Sequence, residues 1–347
     1  MTTQLPAPAA PEVATDYIAD ICLGLPELGR DLRAQVGRVE DLMLAALSDG
    51  EDFLTEPVLH LMNSGGKRFR PLVTALAAHS GDQPSADAVP AAAAAMEMVH
   101  LATLYHDDVM DESRMRRGVA TVNARWSNTV AILSGDYLLA RAGQLIYRAT
   151  REAEDCVDKL NDTVATLVTG QMREATRPAG SYCAPDYLRT IQEKTASLIS
   201  LSAWCGARLA GAPRETAARL ERVGDLLGMV FQIADDILDL TVSTDQLGKA
   251  QGLDLREGVA TLPVIYALTE DSAAGRNLAA LLAEPVDDDE KLSRALELVR
   301  STRGLERAEA DMAGYVEQAL ALLGTLPVSP ARTAWVRLLE YTATRTC

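Results

Sequence analysis

Proline is absent from three long stretches of the sequence, which are residues 91–177, 214–262 and 286–326. These stretches are rich in Ala, Leu, Met, Glu and Arg, which favour helices, whereas proline is excluded from helix interiors. Apolar residues recur in them at spacings of three and four, as on one face of a helix. The clearest such face comprises Leu220, Val223, Leu226, Leu227, Val230 and Ile233. Because only 4% of the residues are aromatic and strand-like alternation is scarce, the sequence predicts an all-α protein.

Charge and cysteine content exclude several classes of protein. The 347 residues include 49 acidic and 33 basic side chains, and the net charge of −16 argues against nucleic acid as a partner. We find no uninterrupted apolar window long enough for a transmembrane segment and no secretory signal. The five cysteines are scattered and predict neither a disulfide framework nor a zinc site. We expect a cytoplasmic protein, with a flexible lead-in over residues 1–15 and a single domain over 16–347.

Two acidic clusters follow strongly apolar segments and share one spacing. They comprise Asp107, Asp108 and Asp111, and then Asp235, Asp236 and Asp239. Carboxylates one turn apart destabilise a helix, and their burial costs more unless a cation compensates. One such cluster alone is more simply a solvated helix face, but the repeat favours Mg²⁺, which often shares its oxygen ligands with substrate phosphates. The acidic run 287–290 is interpreted as a solvated loop.

Basic residues stand beside glycines in a second kind of motif. The segment 65–71, Gly-Gly-Lys-Arg-Phe-Arg-Pro, places three cations next to two glycines that allow close approach of an anion. It lacks the spacing of a nucleotide P-loop, and a basic helix start accounts for it equally well. Arg116 and Arg117 follow the first acidic cluster, where ion pairing within a helix is the alternative. Taken singly, Lys194 and Lys249 are typical of surface residues, and His100 of a core histidine.

Together, these motifs resemble the trans-prenyltransferases, the all-trans polyprenyl diphosphate synthase family. The matching segments are GGKRFRP (65–71), HDDVMDESRMRRG (106–118), GQMRE (170–174), EKTASL (193–198), FQIADDILD (231–239) and DLREGVATLP (254–263). The resemblance implies a single large helical bundle around a deep central cavity, the isoprenoid synthase-like fold, assembled as a homodimer. One departure is Val259, which stands where members of the family often have Lys.

The resemblance also implies a role for each motif. Both acidic clusters would bind Mg²⁺, three ions in all, shared with an allylic diphosphate. That diphosphate would also be bound by Arg116, Lys194 and Lys249. Isopentenyl diphosphate would be held by Lys67, Arg70, His100 and Arg117. Thr195 and Gln232 would lie near the reacting carbons, where the allylic carbon–oxygen bond breaks to a carbocation, the alkene attacks it, and the departing pyrophosphate takes the released proton.

Product length follows from the residues before the first acidic cluster. Short-chain members of the family carry a bulky aromatic residue four or five positions upstream, where this chain has Thr103 and Ala102. Val99 and Met96 lie one and two turns further along. The resemblance therefore implies a medium- or long-chain product, about C30 to C50, made from farnesyl or geranylgeranyl diphosphate. Alternatively, Ala102 and Thr103 are small only for helix packing and another helix closes the cavity.

Three other functions share part of this pattern. A geranylgeranyl diphosphate synthase would differ only in product length. A class I terpene cyclase also ionises an allylic diphosphate, but it lacks the GGKRFRP segment and carries a different second metal motif. A non-catalytic partner subunit of a heteromeric synthase would be expected to lose the acidic clusters, which this chain keeps.

Overall fold

The computed structural model describes residues 16–48, 50–150, 154–178, 180–242 and 251–344. It groups the chain into two compact units. The first unit contains the described residues up to Leu160 together with Ser202–Ala217, and the second contains Asn161–Leu201 and the described residues from Ala218 onward. The predicted lead-in (1–15) and Lys249 lie outside the described residues. A single domain over residues 16–347 stays a prediction.

The described residues are helical almost throughout, which confirms the all-α prediction. The chain opens with α1 (Asp16–Ile21), α2 (Pro26–Leu47), α3 (Asp52–Asn63), α4 (Phe69–Ala78), α5 (Ala88–Met110), the strands β1 (Met115–Arg116) and β2 (Val119–Ala120), α6 (Val122–Arg125) and α7 (Asn128–Ala149). It continues with α8 (Glu154–Ala175), α9 (Ala184–Ile191), a π-helix (Gln192–Ala196), α10 (Ser197–Leu209), α11 (Arg214–Thr241), α12 (Leu253–Arg256), α13 (Leu262–Leu268), α14 (Ala273–Leu281), α15 (Asp289–Arg300), α16 (Gly304–Gly324) and α17 (Pro330–Ala343).

Helix α5 forms the core of the first unit. It packs against α2, α4 and α7, and its residues 89–99 are all buried. By length and composition α5 is the one helix among the described residues that could cross a membrane. However, 78% of its most apolar window is buried inside the protein, as expected for a core helix. The burial of α5 places its C-terminal acidic cluster at the end of a rigid support.

The second unit is built around α9, α11, α13 and α16. The apolar face predicted on α11 is confirmed, because all six of its residues, from Leu220 to Ile233, are buried. Met229 and Ile233 of α11 pack with Tyr187 of α9 and with Leu262 and Ile265 of α13. This packing fixes the helix that carries the second acidic cluster.

The acidic run 287–290 is not entirely a loop. Asp288 is the N-cap of α15, and its carboxylate accepts a hydrogen bond from the Lys291 backbone N–H at 2.7 Å. Asp289 and Glu290 form the first turn of that helix. Negative charge at a helix N-terminus is stabilised by the helix dipole, so the loop prediction was wrong while the solvated character is confirmed.

Candidate active site

The first acidic cluster occupies the C-terminal end of α5. Asp107 and Asp108 lie in its last turn, and the backbone N–H of the C-cap residue Asp111 donates to the Asp107 carbonyl at 2.8 Å. The C-terminus of a helix carries partial negative charge, so carboxylates gathered there repel both one another and the helix dipole. A cation bound at this end would relieve that repulsion.

A tight reversal after α5 carries the basic residues back toward the cluster. Glu112 has a positive φ of 51°, and the Ser113 N–H donates to the Asp108 carbonyl at 3.0 Å, as in a Schellman motif. The β1–β2 hairpin follows, with φ of 51° at Arg117 and 76° at Gly118. A two-residue hairpin loop favours positive φ at both positions, so Arg117 is held at the tip in a conformation that non-glycine residues adopt only at some cost.

Asp108 forms the contact between the hairpin and the cluster. Arg116 Nε of the hairpin donates to Asp108 Oδ1 of α5 at 2.6 Å. The pair therefore joins the hairpin to the helix, whereas the alternative considered from the sequence was an ion pair within one helix. Burial raises the pKa of Asp108, and the charge and hydrogen bond of Arg116 oppose that rise. Among the described residues, Asp108 Oδ2 has no hydrogen-bond partner although the residue is only 1% exposed. A buried carboxylate oxygen without a hydrogen-bond partner is suited to bind a cation.

The glycine-rich segment 65–71 is held against the hairpin tip. Buried Arg68 bonds Glu40 at 2.9 Å and Glu97 at 3.4 Å, and Arg117 donates to the Gly65 carbonyl. Gly66 has φ of 142°, and a Cβ there would lie 2.8 Å from Arg117 Nη1. A Cβ at Gly66 would displace the guanidinium groups of Arg117 and Arg68, and the positive φ also favours glycine, so the segment and the hairpin tip lie together as one basic group.

Arg70 and His100 complete this basic group. Burial lowers the pKa of Arg70 to about 10, with Glu97 opposing and Arg117 reinforcing the shift. Among the described residues Arg70 Nε has no hydrogen-bond partner. Burial and the neighbouring arginines hold the pKa of His100 well below its usual value, so this imidazole is neutral near pH 7. A half-buried guanidinium with one buried nitrogen that has no partner would be stabilised by a bound anion.

The four residues predicted to control chain length differ in their burial. Met96, Val99 and Ala102 are at most 1% exposed within the packed part of α5. Thr103 is half-buried, and its hydroxyl donates to the His100 carbonyl at 2.8 Å. Thr103 is three residues from His100 and four from Asp107, so it shares a helix face with both. Lys67, the remaining predicted cation of this unit, is exposed on the glycine-rich segment.

In the second unit, Lys194 and Thr195 lie on the π-helix. π-Helical turns are rare and occur often at functional sites. Glu193 anchors this turn through Arg173 at 2.9 Å and Arg189 at 2.9 Å. A Cβ at Gly170 of α8 would lie 2.9 Å from the Lys194 backbone nitrogen, so a glycine there allows α8 to lie against the turn. Lys194 Nζ contacts Glu174 at 2.7 Å, which holds the ammonium in place.

Hydrogen bonds connect this turn to the second acidic cluster. The Thr195 hydroxyl donates to Gln232 Oε1 at 3.0 Å, and Gln232 Nε2 donates to Asp236 Oδ1 at 3.0 Å. The Tyr187 hydroxyl donates to Asp236 Oδ2 at 2.6 Å. Three predicted residues from two separate motifs are therefore joined in one chain of hydrogen bonds, which Tyr187 extends.

The second cluster holds more negative charge than its surroundings neutralise. Burial raises the pKa of Asp236 to about 7, with Tyr187 and Gln232 opposing the shift. Burial and the three cluster carboxylates raise the pKa of Asp254 to about 8. Asp239 accepts backbone hydrogen bonds from Leu253 and Asp254 at 3.1 and 3.3 Å. A divalent cation would lower these pKa values, because it stabilises the ionised carboxylates.

The donor set of both clusters suits Mg²⁺. All the donors are carboxylate oxygens, the ligands that this ion prefers. In the parts of the chain that the structure describes, no group of three or more His, Cys, Asp or Glu side chains is arranged to hold a metal ion by itself. Mg²⁺ commonly binds through one or two carboxylates and completes its coordination with water and substrate phosphates, so open clusters fit it.

Sequence reasoning missed several residues of these networks. Glu174, Glu193 and Asp254 lie inside the motifs that carried the resemblance, where they could have been noticed as acids beside predicted ligands. Asn123 donates to the carbonyls of Asp108 and Ser113, both at 3.0 Å, and so fixes the reversal after α5. Asn123 and Tyr187 stand in no distinctive pattern, so only the fold reveals them.

The chain is similar to known proteins over most of its length. A model of the polyprenyl synthetase family matches residues 51–299. A nonaprenyl diphosphate synthase of Mycobacterium tuberculosis is 47% identical, over 94% of this chain and 97% of that protein. A crystal structure of a Corynebacterium glutamicum geranylgeranyl pyrophosphate synthase, complexed with calcium and isoprenyl diphosphate, has a TM-score of 0.83 at 42% identity and covers 92% of this chain and 98% of its own. A Caulobacter crescentus polyprenyl synthase with the same ligands has a TM-score of 0.85 at 29% identity, covering 96% and 98%.

Proposed function

The chain belongs to the polyprenyl synthetase family and is an enzyme that transfers prenyl groups, and we propose that it condenses isopentenyl diphosphate head-to-tail with an allylic diphosphate. The observation that carries this proposal is the arrangement along one face of α5. An acidic cluster ends the helix, and His100 lies among four arginines two turns earlier, about 10 Å away. One helix thus supports both a metal–diphosphate site and a second, metal-independent diphosphate site.

Each basic residue is assigned to one of the two diphosphates. Arg70, Lys67 and Arg117 bind isopentenyl diphosphate, and neutral His100 adds a hydrogen bond. Arg116 and Lys194 bind the allylic diphosphate, and their ion pairs with Asp108 and Glu174 keep both cations oriented before substrate arrives. We place Lys249 in the same role by resemblance.

The acidic clusters and the Thr195–Gln232 pair act on the carbon–oxygen bond. The clusters would hold the Mg²⁺ ions, which would supply positive charge for the departing pyrophosphate. The Thr195 hydroxyl and the Gln232 amide, which are hydrogen-bonded to each other, would lie near the carbon that becomes positive and would help to stabilise its charge. The pyrophosphate accepts the proton that is released after condensation, so the chain needs no general base of its own.

The product is proposed to be a medium- or long-chain all-trans polyprenyl diphosphate of about C30 to C50, from farnesyl or geranylgeranyl diphosphate. Thr103 and Ala102 leave the helix face before the cluster without a bulky side chain. The 47% identity to a nonaprenyl diphosphate synthase supports this length. The 42% identity to a geranylgeranyl pyrophosphate synthase keeps the shorter product as the second candidate.

A homodimer is proposed as well, and α7 supports it. Ile132, Leu133 and Tyr147 are 44%, 58% and 66% exposed on this helix, although each is apolar over most of its surface. A second copy of the chain would remove these side chains from water. A cytoplasmic location stays a prediction of the sequence.

One assay tests the proposed activity. Purified protein is incubated with Mg²⁺, farnesyl diphosphate and labelled isopentenyl diphosphate, and products are identified by mass spectrometry. We expect linear all-trans diphosphates lengthened by successive five-carbon units. A cyclic hydrocarbon would identify a terpene cyclase, and activity only after a second protein is added would identify a partner subunit.

Replacing Arg70 with Met is expected to weaken binding of isopentenyl diphosphate selectively. The loss of a half-buried cation that would bind the diphosphate should raise the KM for this substrate roughly 10- to 100-fold, while the KM for the allylic substrate changes little. Initial rates over a range of both substrates measure the two constants. Arg114→Met is the matched control, because Arg114 is an exposed arginine with no assigned role. Equal effects of the two substitutions would contradict the role of Arg70.

A further inference from the structure

Tyr187 is a buried tyrosine whose hydroxyl contacts the second acidic cluster. Its side chain lies in an apolar cluster with Ile191, Met229, Ile233 and Leu262, and the residue is 4% exposed. The phenol oxygen lies 2.6 Å from Asp236 Oδ2. This length is typical of a strong hydrogen bond between a hydroxyl and a carboxyl oxygen. A phenol placed this way gives the carboxylate a fixed direction that the core maintains.

Asp236 is held from two helices through its two oxygens. Tyr187 donates to it from α9, and Gln232 donates to it from one turn earlier in α11 at 3.0 Å. These donors fix the carboxylate in one rotamer at a residue that is 1% exposed. The neighbouring Asp235 is half-buried. Its backbone position is fixed because Asp236, the next residue of α11, is held in place.

The same carboxylate fixes the orientation of Gln232. Its Nε2 is committed to Asp236, so its Oε1 faces the Thr195 hydroxyl at 3.0 Å. If Asp236 turned away, the Gln232 amide would be free to rotate and Thr195 would lose its acceptor. Tyr187 therefore supports both the acidic cluster and the Thr195–Gln232 pair through its hydrogen bond to Asp236, and it acts on the substrate only indirectly.

We propose that Tyr187 is a positioning residue that holds Asp236, and through it Asp235 and Gln232, in the geometry that binds metal and diphosphate. This inference rests on the proposed function and adds to it a residue outside the motifs that carried the resemblance. Residues that orient metal-binding carboxylates affect metal affinity or activity by 10- to 100-fold when they are replaced.

The test compares Tyr187→Phe with Tyr266→Phe. Tyr266 belongs to the same apolar cluster and also donates from its hydroxyl to a carboxylate, Asp311, which has no role in the site. For Tyr187→Phe we expect the Mg²⁺ concentration at half-maximal rate to rise about 10-fold or more. We expect the KM for isopentenyl diphosphate to change less than about two-fold, since its proposed ligands are other residues. Tyr266→Phe should leave the Mg²⁺ requirement as in the wild type.

A binding measurement separates this inference from the proposed function. Calorimetric titration with Mg²⁺ and inorganic pyrophosphate should show weaker binding to Tyr187→Phe than to wild type, whether or not prenyl transfer is observed. Failure of the wild type to transfer prenyl groups would count against the function alone. Unchanged binding and Mg²⁺ requirement in Tyr187→Phe, or equal shifts in both variants, would overturn the inference.

If Tyr187→Phe does not fold, a variant that keeps a hydrogen-bond donor at position 187 tests the positioning role. With 4-aminophenylalanine at position 187, the ring retains a hydrogen-bond donor at the same place. We expect this variant to fold and to keep a Mg²⁺ requirement close to that of the wild type. A folded variant with a requirement raised 10-fold would show that the donor is not what matters.

Discussion

Replacing Asp107 with Asn is expected to lower the rate of prenyl transfer roughly 1,000-fold. Asp107 lies in the last turn of α5, with Asp108 beside it and Asp111 capping the helix. An amide is a much weaker ligand for Mg²⁺ than a carboxylate, so less positive charge would face the departing pyrophosphate. Initial rates at saturating substrates, measured over a Mg²⁺ titration, give the size of the loss and any gain from added metal.

Glu112→Gln is the matched control for this loss. Glu112 is an exposed acid directly after the cluster, and it carries no proposed role. Its replacement removes the same charge from the same segment, so a rate within about two-fold of the wild type is expected. Thermal unfolding without metal should show the Asp107→Asn variant to be as stable as the wild type or more so, because repulsion at the helix end falls. A rate above a tenth of wild type in Asp107→Asn would exclude this carboxylate as a metal ligand.

Replacing Thr103 with Phe is expected to shorten the main product to one or two condensations beyond the starter. Thr103 shares a face of α5 with His100 and Asp107, and it is half-buried where Met96, Val99 and Ala102 are fully buried. A phenyl ring on that face would occupy the path of the growing chain, while the first condensation, which needs less space, continues. Mass spectrometry of the products and the rate of the first addition measure the two effects.

Thr103→Val separates bulk from the loss of the hydroxyl group. Valine keeps the size of threonine but cannot donate to the His100 carbonyl, so product length should not change. Ala102→Phe is also expected to lower the stability of the protein. Ala102 is 0% exposed, and a larger side chain in a packed core costs about 1–3 kcal/mol of folding free energy. Unchanged product length in both Phe variants would remove these two positions from control of chain length.

The helical class and the placement of both acidic clusters were predictable because helix periodicity is local. The spacing of the α11 face predicted its burial, and the four-residue spacing of Asp107 and Asp111 placed them one turn apart. Prediction was less accurate where backbone conformation departs from a helix. The alternative of pairing within a helix missed the hairpin that brings Arg116 to Asp108, since that reversal depends on positive φ at Glu112 and Arg117.

The chemistry of the charged groups, and the pattern that resembles the trans-prenyltransferases, are properties of the sequence alone. Only the tertiary structure decides which neighbours those groups have. Tyr187 reaches Asp236 across 49 positions, and Arg117 reaches Gly65 across 52. A periodic pattern describes how residues a few positions apart share a face, whereas the partner of a buried polar group is set by helices that pack together from distant parts of the chain. For that reason the acidic residues proposed to bind metal could be picked out from the sequence, and the residues that contact them from distant parts of the chain could not.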